Sequence, residues 1–161
     1  MLFTGEYEHT IDAKQRLAIP AEIPDALGPE IQGEALYLVL GANGALWLWP
    51  EKTFEQMAGA LEQTLLPEEE MMEYEQLLFS QAARLELDKA GRVLLPERMI
   101  SAGGLGTSVT ILGVKDHLEL RDSQQWTALR QQKYAKQQEI MLRARRALGQ
   151  RLNAGGKQAG P

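Results

Sequence analysis

The chain has 161 residues, 44% of them hydrophobic and 24% charged, which suits one domain or two small ones sharing a core. It has no cysteine and two histidines, His9 and His117, which excludes disulfide scaffolds, zinc–thiolate sites, iron–sulfur clusters, thiol catalysis and His-rich metal centres. The net charge of −5 argues on its face against an anionic polymer as partner, yet residues 115–161 carry +6 and residues 1–114 carry −11.

In chain order, Met1–Thr10 lacks a long apolar run and is not expected to be a signal peptide, and no stretch approaches the ~20 apolar residues of a membrane span. Glu8–Ile11 reads as a short strand, Asp12–Arg16 as a tight connection and Leu17–Ile19 as a second strand closed by Pro20, where a short helix can begin. Two further strands, Leu36–Leu40 and Leu46–Trp49, flank Asn43-Gly44, a hairpin signal. After Trp49-Pro50, the spacing of Phe54, Met57, Ala58, Leu61 and Leu65 predicts a helix. Pro67 and Glu68–Glu70 open another, with Met71, Leu78 and Ala82 as its expected buried stripe.

The pattern then repeats. Ile11-Asp12-Ala13-Lys14-Gln15-Arg16-Leu17-Ala18-Ile19-Pro20 aligns with Leu87-Asp88-Lys89-Ala90-Gly91-Arg92-Val93-Leu94-Leu95-Pro96 at an offset of 76, and later matches such as Leu40-Gly41 with Leu112-Gly113 share an offset of 72. The first copy therefore carries a loop four residues longer, between Leu27 and Ala35. Second-copy strands are expected at Ala83–Leu87, Val93–Leu95, Val109–Gly113 and Leu118–Arg121. A helix follows from Gln124 to about Leu152, capped by Asp122 or Ser123, and Asn153–Pro161 is Gly-rich and expected to be a disordered tail. The division is thus 1–66 for the first unit, 67–82 for a linker helix, 83–152 for the second unit and 153–161 for the tail.

Few residues offer catalysis. Gly103–Ser108 is glycine-rich but lacks a phosphate-loop lysine and precedes a strand, so it reads as a loop. Glu68, Glu69, Glu70, Glu73 and Glu75 point in several directions on a helix and read as a solvated face. No enzyme, cofactor, metal or small-molecule substrate is expected. The repeated D-x-x-x-R loops leave two readings open. Asp12 and Asp88 can simply brace turns, with Gly91 at a position that tolerates positive φ. Alternatively, Lys14, Arg16, Lys89 and Arg92 form basic loops that grip phosphates and guanine edges. Gln15 would be strained where Gly91 is not, so the two turns are expected to differ.

The tandem motif, together with the opening Leu2-Phe3-x-Gly5-Glu6-Tyr7, resembles the MraZ family within the SpoVT/AbrB superfamily, over about Met1–Gly149. The resemblance implies an α+β, mainly β fold: two swapped-hairpin AbrB-like units forming a pseudo-symmetric β-barrel with peripheral helices. It implies a cytoplasmic, nucleoid-associated repressor of the division and cell-wall gene cluster. As a ring-shaped homo-oligomer, such a protein would bind repeats in double-stranded promoter DNA. Arg16 and Arg92 would be its main DNA contacts, Lys14 and Lys89 supporting ones, and Asp12, Asp88 and Gly91 would orient the turns. An AbrB-like antitoxin, whose basic C-terminal segment folds onto a toxin, is the alternative.

Overall fold

The computed structural model describes residues 2–23, 35–61 and 63–157. Its elements are β1 (Glu6–Thr10), β2 (Arg16–Ala18), β3 (Ala35–Leu40), β4 (Leu46–Pro50), α1 (Glu51–Gly59), α2 (Glu69–Gln81), β5 (Ala83–Glu86), β6 (Arg92–Leu94), α3 (Glu97–Ala102), β7 (Ser108–Val114), β8 (His117–Asp122), α4 (Ser123–Ala135) and α5 (Gln137–Lys157). The expected loop insertion between Leu27 and Ala35 lies outside the described residues except for Ala35, which opens β3. Most of the helix expected after Pro20 lies outside them too.

The described residues up to Gln124 form one compact unit. Six strands make an antiparallel sheet in the order β1-β7-β8-β4-β3-β5, and β2 pairs with β6 in a separate two-stranded ribbon. The copies exchange strands: first-copy β1 pairs with second-copy β7, and second-copy β5 pairs with first-copy β3. Alternation explains the core. Leu36 and Leu38, Leu46 and Leu48, Val109 and Ile111, and Leu118 and Leu120 recur at period two, and all are at most 1% exposed. Leu17 and Val93 of the ribbon are fully buried in the same cluster. Gly113 lets the N-terminal segment lie against β7, because a Cβ there would stand 2.5 Å from the Thr4 backbone. Asn43 and Gly44 turn the β3–β4 hairpin with φ of 57° and 74°, as the Asn-Gly signal predicts.

On the opposite face Val39, Trp49 and Phe54 are buried together, with Tyr37 stacked on Phe54 at 4.7 Å. Leu78 and Ala82 pack against this cluster, but Met71, expected in the same buried stripe, is exposed. α2 carries Glu69, Glu70, Glu73 and Glu75 in its first half and has no fully buried side chain. α1 stops at Gly59, before Leu61 and Leu65, whose spacing had predicted a longer helix; helix is costly to extend past glycine, and Leu65 is left 99% exposed.

The second unit begins at Gln125, and its described residues, up to Lys157, are almost entirely helical. The single helix expected from Gln124 to Leu152 is interrupted at Lys136, whose amide is shared between the Gln132 and Lys133 carbonyls at 3.3 and 3.2 Å. Tyr134, the large apolar side chain of the intervening polar stretch, is 69% exposed, so packing does not hold one helical register there. α5 continues to Lys157, so residues 153–157 of the expected disordered tail are helical; residues 158–161 lie outside the described residues.

Candidate functional site

Each D-x-x-x-R loop is organised by its aspartate. Asp12 Oδ1 accepts the amides of Lys14 and Arg16, both at 2.9 Å, and Oδ2 accepts Arg16 Nε at 2.7 Å. The Arg16 amide holds the Asp12 carboxyl below its ordinary range, helped by the Arg16 guanidinium and the Lys14 amide. Asp88 repeats this arrangement. Its Oδ1 accepts the amides of Ala90 at 2.8 Å and Arg92 at 2.9 Å, and its Oδ2 accepts Arg92 Nε at 2.9 Å. Its carboxyl is likewise lowered, chiefly by the Arg92 amide. Backbone bonds close both turns: Asp12 N–H to Arg16 O, and Asp88 N–H to Arg92 O, at 3.0 and 2.8 Å.

The expected difference between the turns is absent. Gln15 adopts φ 63° where Gly91 adopts 74°, and the amide of each donates to its aspartate's carbonyl at 3.0 Å. Five matched hydrogen bonds compensate the cost of a left-handed glutamine.

The ribbon brings the loops together. The Gln15 carbonyl accepts the Leu95 amide, and the Gly91 carbonyl accepts the Ile19 amide, each at 2.9 Å. Between these cross-links Arg16 pairs with Leu94, Leu17 with Val93 and Ala18 with Arg92. Since Leu17 and Val93 point into the core, the pleat turns Arg16, Ala18, Arg92 and Leu94 outward. Arg16 and Arg92 are therefore diagonal neighbours on one face, positions that stand about 7–8 Å apart in an antiparallel pair. Their side chains are 30% and 34% exposed. Among the described residues, Nε is the guanidinium nitrogen of each that has a partner, which leaves the two Nη groups of each arginine unengaged.

Lys14 and Lys89 are exposed, at different positions of their turns. Lys14 corresponds to Ala90 as the donor two residues after the aspartate, and Lys89 to Ala13. Leu94, 60% exposed between the two arginines, belongs to the same face and was not singled out by sequence reasoning. Three consecutive apolar residues, Val93-Leu94-Leu95, show no alternation in sequence; only the strand's pleat, which buries Val93 and Leu95, turns Leu94 outward. The arrangement can hold anions: four cations face two carboxylates that are already engaged. Among the described residues there is no cluster of three metal-ligating side chains, and no helix is long and apolar enough to cross a membrane.

Residues 2–73 and 78–148 match the family model described as “MraZ protein, putative antitoxin-like”, and each segment contains one copy of the repeat. The chain is also similar to the transcriptional regulator MraZ of Roseiflexus castenholzii, with 36% identity over 125 residues, covering 78% of this chain and 84% of that protein. The proteins of the same name from Finegoldia magna and Acetivibrio thermocellus are 31% and 30% identical over the same shares.

Proposed function

The chain belongs to the MraZ family, and from that premise we propose that it is a sequence-specific DNA-binding repressor of the division and cell-wall gene cluster. The relatives are named as transcriptional regulators, and none of these names is that of an enzyme. The observation that carries the DNA-binding reading is the placement of Arg16 and Arg92 on one outward face of the β2–β6 ribbon. Braced by Asp12 and Asp88 through Nε, each guanidinium presents its Nη edge with little freedom left to lose. That edge suits the bidentate geometry of a phosphate or of guanine O6 and N7.

Lys14 and Lys89, at the exposed turns, are phosphate contacts in this reading. Two loops per chain provide few contacts, so useful affinity comes from repetition across a ring-shaped homo-oligomer acting on repeats in promoter DNA. The sheet and the ribbon are read as the two parts of a pseudo-symmetric barrel made by two interleaved units, a body that is cytoplasmic and nucleoid-associated. The division at 1–66, 67–82 and 83–152 follows from the repeat. The acidic bulk of residues 1–114 then lies away from the DNA.

The test is titration of promoter-repeat DNA with Arg16→Ala and Arg92→Ala. Both are expected to lose binding with their thermal unfolding intact, whereas undiminished binding by both overturns the reading. The antitoxin alternative draws on the family description and on the basic amphipathic α5. Co-purification of a small ribonuclease with the chain supports that alternative, and a homogeneous homo-oligomer opposes it.

A further inference from the structure

Two exposed surfaces remain unused by the DNA-binding reading, and they are opposite in charge. The first leads into α2. Leu65 and Leu66 are 99% and 90% exposed and are followed by Glu68, Glu69 and Glu70. Beside them a groove of about 310 Å³ is lined by Leu66, Pro67, Met71 and Glu75. Adjacent leucines left so open, rimmed by polar groups, mark an interaction site.

The second surface is the bend between α4 and α5 at Lys136. A concavity of about 750 Å³ there is lined by Tyr134, Lys136, Glu139, Leu142, Arg143 and Arg146. Tyr134 and Leu142 are 69% and 53% exposed. Along α5, Arg143, Arg145, Arg146 and Arg151 face a single acid, Glu139. Among the described residues, neither Arg143 and Arg146 nor Glu68, Glu69 and Glu70 has an ion-pair partner.

We propose that the acidic, leucine-tipped segment Leu65–Glu75 of one copy of this chain seats in the α4–α5 bend of a second copy. Charge selects this pairing. Bend against bend opposes Arg143 and Arg146 to themselves, and segment against segment opposes Glu68–Glu70 to themselves. The unlike pairing offers the leucines Tyr134 and Leu142 while the glutamates meet Arg143, Arg146 and Lys136. Such a contact is heterologous: an open series leaves one free segment at one end and one free bend at the other until it closes into a ring. The inference rests on the ring assembly proposed above and supplies its interface.

The test measures the mass of the full chain by light scattering and its helicity by circular dichroism. Glu69→Lys/Glu70→Lys and Arg143→Glu/Arg146→Glu are each expected to fall to the mass of a single chain with helicity retained. A 1:1 mixture of the two, or all four substitutions in one chain, is expected to regain the wild-type mass. Leu65→Ser/Leu66→Ser, which changes no charge, is expected to dissociate as well. Charge variants that keep the wild-type mass overturn the interface, as does a four-fold variant that stays single while folded. If Arg143→Glu/Arg146→Glu keeps its mass but loses DNA affinity, the bend holds phosphate and the proposal is wrong. A wild-type chain that is itself single removes the assembly reading and this interface together, which separates the two failures.

Discussion

Arg16 and Arg92 stand diagonally across the β2–β6 ribbon, on the face opposite the buried Leu17 and Val93. The relationship is fixed from both ends, by Gln15 O accepting Leu95 N–H and Gly91 O accepting Ile19 N–H. Two loops 76 residues apart in sequence thus become one surface.

The inward side of that ribbon sets its position. Leu17→Ala is expected to cost about 2–5 kcal/mol of stability, the range for emptying a buried leucine site. A chemical-denaturation midpoint unchanged from wild type would show that the ribbon is not packed on the sheet.

Gln15 offers a way to gain stability. Its φ of 63° is unfavourable for any residue with a Cβ, so Gln15→Gly is expected to be neutral or stabilising by up to about 1 kcal/mol. Gly91→Ala is expected to destabilise by about as much, with no clash involved, because nothing lies within 4 Å of the added Cβ. Calorimetric melting of the two variants checks the opposed signs, and shifts in the same direction contradict the shared turn geometry.

Asp12 and Asp88 make the turns sensitive to acid. Both carboxyls are lowered in the folded chain, so their contribution is present above the unfolded value of 3.8 and is lost as pH falls through the folded values. Asp88→Asn replaces the acceptor of Arg92 Nε with a group of no charge, and it is expected to weaken DNA binding at neutral pH while the sheet stays folded. Anisotropy titration with wild-type affinity would show that bracing Arg92 is unimportant.

His117 predicts the opposite pH dependence. It is 8% exposed, stacked on Trp49 at 4.4 Å, and bonded through Nδ1 to Asp116 at 3.0 Å. Burial opposes its protonation, but the carboxylates of Glu119 and Asp116 outweigh burial and raise its pKa above 6.5. Its stabilisation is complete below the unfolded pKa and is lost as pH rises through the folded one. The melting temperature is expected to fall between pH 6 and pH 8.5, and His117→Gln is expected to flatten that change. An equal fall in the variant would assign the dependence elsewhere.

Much of this was legible from local chemistry. The hairpin at Asn43-Gly44, the alternating strands and both aspartate-braced loops follow from residue type and spacing. The pairing of β1 with β7 and β5 with β3 was not legible: the family resemblance implied interleaved units but no strand partners, which are set by tertiary contacts that periodicity does not encode. Gln15 departs from its own conformational preference because the hydrogen bonds of the turn, which its residue type does not reveal, override it. Leu61 and Leu65 lie beyond the end of α1 because a 3.6-residue spacing does not register the cost of extending helix past Gly59.

The most direct test of the account is the salt dependence of promoter-repeat binding by the wild type, Arg16→Ala and Arg92→Ala. Log affinity against log salt is expected to be linear, with each variant weaker and its slope shallower by at least about 1 for each phosphate contact removed. Variants that bind as tightly as the wild type, with the same slope, would contradict the assignment of DNA contact to the ribbon face.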